Sequence, residues 1–199
     1  MSLLPHDADR RPTWTTRQED LLDGLEQLFS AEGFRNLTLA DLASRLHCSR
    51  RTLYELADTK DDLVALVVER FLDRNYSRGI AAMQDTTTAR ARLDHFATTV
   101  IDDAQRISVT FADDMFRTPR TASLVTNYDQ RCITLVESLI RDGQASGEFR
   151  IVDSTLAAQA IMAAIARIQD TNVLAMLDLT YGQATRSIID LFMEGLAVS

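Results

Sequence analysis

The chain has 199 residues, enough to bury a sizeable core as one large domain or as a small unit fused to a medium one. An apolar share of 46% is ordinary for a globular protein, whereas only 7 glycines and 3 prolines favour long helices over a turn-rich sheet, and no run approaches the roughly 18 to 20 apolar residues that span a bilayer. The net charge of −8 excludes a uniformly basic footprint, but it is unevenly spread: Arg10 to Lys60 carries eight basic and eight acidic residues, while residues 61 to 199 carry thirteen arginines against nineteen carboxylates. Acidity in the last two thirds would repel a polyanion and leaves the neutral first sixty residues as its docking surface.

Residues 1–14 read as a flexible arm. Met1 to Pro12 is polar and lacks an apolar signal core, so the chain is expected to be cytoplasmic, with no membrane partner. Thr16-Arg17-Gln18-Glu19 has the form of a capping box and predicts a helix start. Leu21, Leu22, Leu25, Leu28 and Phe29 follow at helical spacing, and Gly33 supplies a left-handed stop. Thr38, with Asp41 three residues on, caps a short second helix bearing Leu39, Leu42, Ala43 and Leu46. His47 and Cys48 form a brief turn, and Ser49 caps a third helix, Arg50 to Leu56. Thr59, with Asp62, opens a longer helix from Lys60 to about Met83, where Asp85 and three threonines end the pattern.

Two short helices joined by a turn of three to four residues, the second opening on paired arginines, have the layout of a helix-turn-helix over residues 15–60. A helix of about seven residues rises roughly 10 Å, enough to present its first turn to base edges in a major groove. The arginine fork suits that place because it donates two parallel hydrogen bonds to guanine.

Arg17, Leu28-Phe29, Gly33-Phe34, Leu37-Thr38, Asp41-Leu42-Ala43, Ser49, Thr52-Leu53-Tyr54, Lys60-Asp61 and Leu63 together resemble the DNA-binding domain of TetR-family regulators. The resemblance covers about a quarter of the chain and is specific because order, spacing and residue type agree at many positions. It implies phosphate contacts by Thr38, Tyr54 and Lys60 and base contacts from Arg50, Arg51 and Thr52, behind the Ser49 cap. It also implies double-stranded DNA with a palindromic operator as partner. Two departures stand out: the family commonly has Gly where Arg51 stands, and His-Phe at Leu56-Ala57. Plainer roles stay open at this point: solvated charges for the arginines, packing for Tyr54, a cap alone for Thr38, plain surface for Lys60 and an exposed turn for His47.

Residues 61–199 are expected to form a helical domain for ligand binding and dimerisation. Helical periodicity continues over Ala89–Arg106, Val109–Phe116, Thr121–Gly143, Ser154–Met176 and Tyr181–Val198, separated by Pro119, Gly143 with Gly147, and the cap Asp153. The fold class is therefore all-α. Small residues between Ser154 and Met176, with Ile161 and Ile165, allow close helix approach. The last stretch, with Ile188, Ile189, Leu191, Phe192 and Leu196, is apolar on more than one face, as a four-helix homodimer interface would require. Phe96, Phe111, Met115, Phe116, Tyr128, Met162 and Met176 are candidates either for core or for lining an apolar cavity, and the resemblance supplies the expectation of a small-molecule effector.

Catalysis has little to work with. There is no Gly-rich phosphate loop, no paired histidines at metal spacing and no Gly-x-Ser-x-Gly, and His6, His47 and His95 are the only histidines. Cys48 and Cys132 read as free thiols, and no cofactor or metal is expected.

Overall fold

The computed structural model describes residues 14–168 and 171–197, so the arm at 1–14 lies outside the described residues except for Trp14. Those residues form α1 (Thr16–Glu32), α2 (Leu39–Arg45), α3 (Arg50–Tyr54), α4 (Lys60–Ala82), α5 (Ala89–Ala104), α6 (Val109–Arg117), α7 (Pro119–Ser146), α8 (Ser154–Arg167), α9 (Thr171–Leu177) and α10 (Tyr181–Leu196). An isolated antiparallel bridge joins Phe149 to Ala197. The architecture is all-α, an N-terminal helix-turn-helix followed by a helical C-terminal part.

Short-range capping chemistry sets most helix starts. Thr38, Ser49, Thr59 and Asp153 each accept from the amide three residues on, as their spacing suggests. The first box falls one residue earlier than expected: Thr15 is the cap and Gln18 returns to its amide, while Glu19 is drawn instead to Arg70 of α4. The alanine-rich stretch expected to be continuous from Ser154 to Met176 is divided into α8, which closes at Ile168, and α9. In the sequence, Asp170, Thr171 and Asn172 interrupt the apolar period at that point.

Two apolar clusters form the core. The first gathers Leu22, Leu25 and Phe29 of α1, Leu42 of α2, Leu53 of α3, Leu63, Val67 and Val68 of α4, and also Phe111 and Met115 of α6. The second gathers Leu93 and Phe96 of α5, Leu139 and Ile140 of α7, Ile161 of α8 and Met193 of α10, with Phe149. Helix α4 serves both, since its first half is buried in the first cluster while Tyr76 and Ile80 pack on the second, which its capping residue Met83 joins. Gly143 is needed for close approach: a Cβ there would lie 2.2 Å from the ring of Phe149.

Ion pairs tie α4 to its neighbours. Arg70 meets Glu19 and Asp23 of α1, Arg74 meets the buried Glu26, Arg78 meets the buried Asp103 of α5, and Asp62 and Asp73 take Arg120 and Arg131 of α7. Together they fix α4 against three other helices by directional contacts as well as apolar packing.

Candidate nucleic-acid interface

Helix α3 is five residues long, shorter than its sequence pattern suggests, and rises only about 7 to 8 Å. Leu53, 1% exposed, roots it in the first core cluster. Arg50, Arg51 and Tyr54 consequently point outward, and Thr52 is half-buried. The turn before it runs through His47 at φ 49, and the Cys48 amide donates to the Ala43 carbonyl at 2.9 Å. His47 is exposed, with a conformation that few residues other than glycine adopt.

The Arg51 side chain is 92% exposed and its Nε lies 3.9 Å from Glu55 Oε1, a solvated pair that leaves the fork free to turn. The Ser49 hydroxyl is occupied in capping, within 3.1 Å of the Thr52 amide and 2.9 Å of its hydroxyl. The Thr38 hydroxyl donates its single proton to Asp41 at 2.6 Å while accepting from the Asp41 amide. The hydroxyl's donation, together with one from the Thr38 amide at 2.8 Å, holds the Asp41 carboxyl below its usual range, the threonine hydroxyl contributing most. Toward an anion, Thr38 would have to release that proton. Lys60 is half-buried at the start of α4, and its ammonium donates to the Arg35 carbonyl at 3.1 Å. Two further protons remain on that ammonium for another acceptor.

The seven residues named as candidates for core or cavity do not converge on one space, and Met176 of α9 is largely exposed. Phe111 and Met115 are fully buried in the first cluster, where Phe111 meets Phe34 and Phe71 edge-on at 6.0 and 5.4 Å between centroids. Phe116 is 41% exposed. Phe96 and Met162 belong to the second cluster and Tyr128 touches both. Around Tyr128 lies a polar chain within the core: its hydroxyl donates to Asn75, whose amide donates to Asp103 at 3.3 Å. Burial pushes Tyr128 and Tyr76 above the ordinary phenol range, the Cys132 thiol up to about 12 and the Asp129 carboxyl up to about 6.

Among the residues expected at a dimer interface, Ile161 is 3% exposed and belongs to the core, while Ile165, Ile188 and Phe192 are half-buried. The surface groove between α8 and α10 is lined mainly by Leu156, Ala157, Ala160, Leu191 and Phe192, with Arg150 and Asp153 also on it, and Leu156 and Leu191 are each 69% exposed. Leu156 was not distinguishable in sequence, since one leucine among alanines carries no facial signal. Leu191 lies in the apolar tail, but neighbouring isoleucines share its period. Among the described residues no helix is long and apolar enough to cross a membrane.

Comparison with known proteins agrees with this arrangement. The profile described as bacterial regulatory proteins, tetR family, matches residues 21–67, and that of the tetracyclin repressor-like C-terminal domain matches residues 89–185. The chain is 25% identical over 150 residues to the HTH-type transcriptional repressor KstR2 of Rhodococcus jostii (strain RHA1), covering 71% of this chain and 74% of that one. It is 27% identical over 143 residues to the HTH-type transcriptional activator FasR of Mycolicibacterium smegmatis, covering 68% of this chain and 65% of that protein. In fold it is similar to a TetR transcription regulator from Haloarcula marismortui, with TM-score 0.79, 19% identity and coverage of 93% and 100%. A transcriptional regulator from Cytophaga hutchinsonii gives TM-score 0.76 at 14% identity, covering 92% and 100%. With an exposed helix-turn-helix at one end, and both profiles in register over more than two thirds of its length, the chain belongs to the TetR family of DNA-binding transcriptional regulators and is not an enzyme.

Proposed function

We propose that two copies of this chain read a two-fold DNA operator and repress by occupying it, until a small apolar effector loosens the grip. The observation that carries the reading is α3, anchored by Leu53 and presenting Arg50, Arg51 and Tyr54 to solvent from the stretch Arg10 to Lys60, which carries no net charge. In this account Arg50, Arg51 and Thr52 meet base edges, while Tyr54, Lys60 and, less directly, Ser49 and Thr38 serve the phosphate side.

The dimer, the form in which the family's regulators act, is supported by the apolar groove of α8 and α10. A self-complementary two-fold contact there would bury Leu156, Leu191 and Phe192, and it would set the separation of two reading heads. Release by an effector is supported by the position of α4. A molecule wedged between α4, α5 and α7, beside Phe96, Tyr128 and Met162, would push on a helix whose other end carries Lys60 and the reading head. Repression rather than activation is the simpler outcome of occupancy, although the two curated relatives act in opposite senses.

Selection of bound sequences from random DNA tests the proposal. The expected product is an inverted repeat with a fixed centre-to-centre distance near one helical turn or a multiple of it. Enrichment of unpaired single sites, or no enrichment at low salt, would overturn it. With that operator in hand, thermal-shift screening of apolar metabolites should find one that raises the melting temperature and dissociates the complex.

A further inference from the structure

The turn between α1 and α2 leads into the reading head, and it is held from two sides. From α4, Lys60 donates to the Arg35 carbonyl at 3.1 Å. From α6, a single carboxylate oxygen of Asp114 accepts from the amides of Phe34 at 2.7 Å and Arg35 at 3.0 Å. Asp114 is 5% exposed. One helical turn earlier, Phe111 of the same helix sets its ring at 81° to that of Phe34. At the start of α6, the Ser108 amide donates to the Ser30 carbonyl of α1 at 2.7 Å. The turn itself is shaped to admit α6: a Cβ at Gly33, where φ is 80°, would lie 2.6 Å from the Asp114 carboxylate and 2.7 Å from Thr110.

A nearby serine or asparagine would satisfy two loop amides without burying a charge. A carboxylate reaching in from a helix 80 residues away does more, because it fixes where that helix stands relative to the turn. Helix α6 is in turn joined to α7, where the Thr121 hydroxyl donates to the Met115 carbonyl at 2.8 Å. We propose that Asp114 is a positioning residue for DNA binding: through the Phe34 and Arg35 amides, α6 sets the angle at which the head of α1 to α3 leaves the body, in parallel with α4. It touches no DNA. Its effect falls on the separation of two heads, so the inference rests on the two-headed reading above.

The test uses the operator selected by the native protein, a duplex holding one half-site, and operators respaced by one base pair in either direction. Native protein must favour the full operator over the half-site and the respaced set; if it does not, the two-headed reading is what fails. Asp114→Ala is expected to bind the single half-site as native does, to lose about tenfold on the full operator and to discriminate less against respaced fragments. Hydrogen exchange at the Phe34 and Arg35 amides should quicken. Asp114→Ser, too short to reach the turn, should behave alike, and Asp114→Asn, with an oxygen at the same reach, should restore the spacing preference. Native operator affinity and spacing preference in a folded Ala or Ser variant would overturn the proposal. So would equal losses on half-site and full operator, or failure of both variants to fold, since either makes Asp114 a brace for the fold alone.

Discussion

At the scale of single residues, the cations of the reading head separate by what already holds them. Arg51 keeps only a 3.9 Å contact with Glu55 in solvent, a pair worth little, so its guanidinium is available at small cost. Lys60 has one proton committed to the Arg35 carbonyl, which fixes the ammonium at the start of α4 and suits a point contact to phosphate better than base reading. Different losses should follow. Arg50→Ala or Arg51→Ala is expected to cost about 1 to 3 kcal/mol on the selected operator and to relax preference at one base pair per half-site. Lys60→Ala should weaken binding to every sequence alike and lower the slope of log affinity against log salt by about one for each phosphate that is no longer neutralised. Fluorescence anisotropy titrations over a salt series on operator and scrambled duplexes distinguish the two. Both arginine variants keeping full affinity and specificity would remove α3 as the reading element.

At the scale of helices, what could be read from sequence was what is decided within four residues. The caps at Thr38, Ser49, Thr59 and Asp153 are of that kind, and they place α2, α3, α4 and α8 with their exposed and buried faces. Reading failed where a distant partner decides. Glu19 fits a capping box but pairs with Arg70, 51 residues on, and the cap moves to Thr15. Phe111 and Met115 fit core or cavity equally by composition, and it is the packing of α6 that puts them in the core beneath the head. No local pattern marks Asp114, whose partners lie on another element. Helix α7 offers a check on burial of the same kind. Burial lifts the Asp129 carboxyl to about 6, above its ordinary value of 3.8. A raised carboxyl favours the folded state only while protonated there: below about pH 4 folded and unfolded chains both hold the proton, and stability falls as pH rises toward 6 and stays lowered above it. Asp129→Asn should therefore raise the melting temperature at pH 7.5, with the gain shrinking to nothing near pH 4. A difference between the two proteins that does not change with pH would show that the carboxyl is not held in a poorly hydrated place.

At the scale of the whole molecule, the acidic C-terminal two thirds and the neutral head orient the chain on a polyanion, and the α8 and α10 groove decides whether two such chains act together. Leu191 gives the sharpest handle on that question. It is 69% exposed in one copy, so exchanging it should leave the fold of the single chain untouched. In a two-fold contact each substitution appears twice, against a surface that is mostly apolar. Leu191→Asp would bring two carboxylates into a contact lined mostly by apolar side chains, with Asp153 as well as Arg150 on the same groove, at an effective cost on the order of a few kcal/mol. Sedimentation at micromolar concentration is expected to show dimer for the native chain and monomer for Leu191→Asp, with equal helicity by circular dichroism. On DNA, the variant should bind the full operator no better than a single half-site, while its half-site affinity stays native because α3 lies on the other cluster of the core. A dimer that survives the aspartate would place the subunit contact elsewhere on the surface, and the spacing of the operator would then have to be set by a different pair of helices.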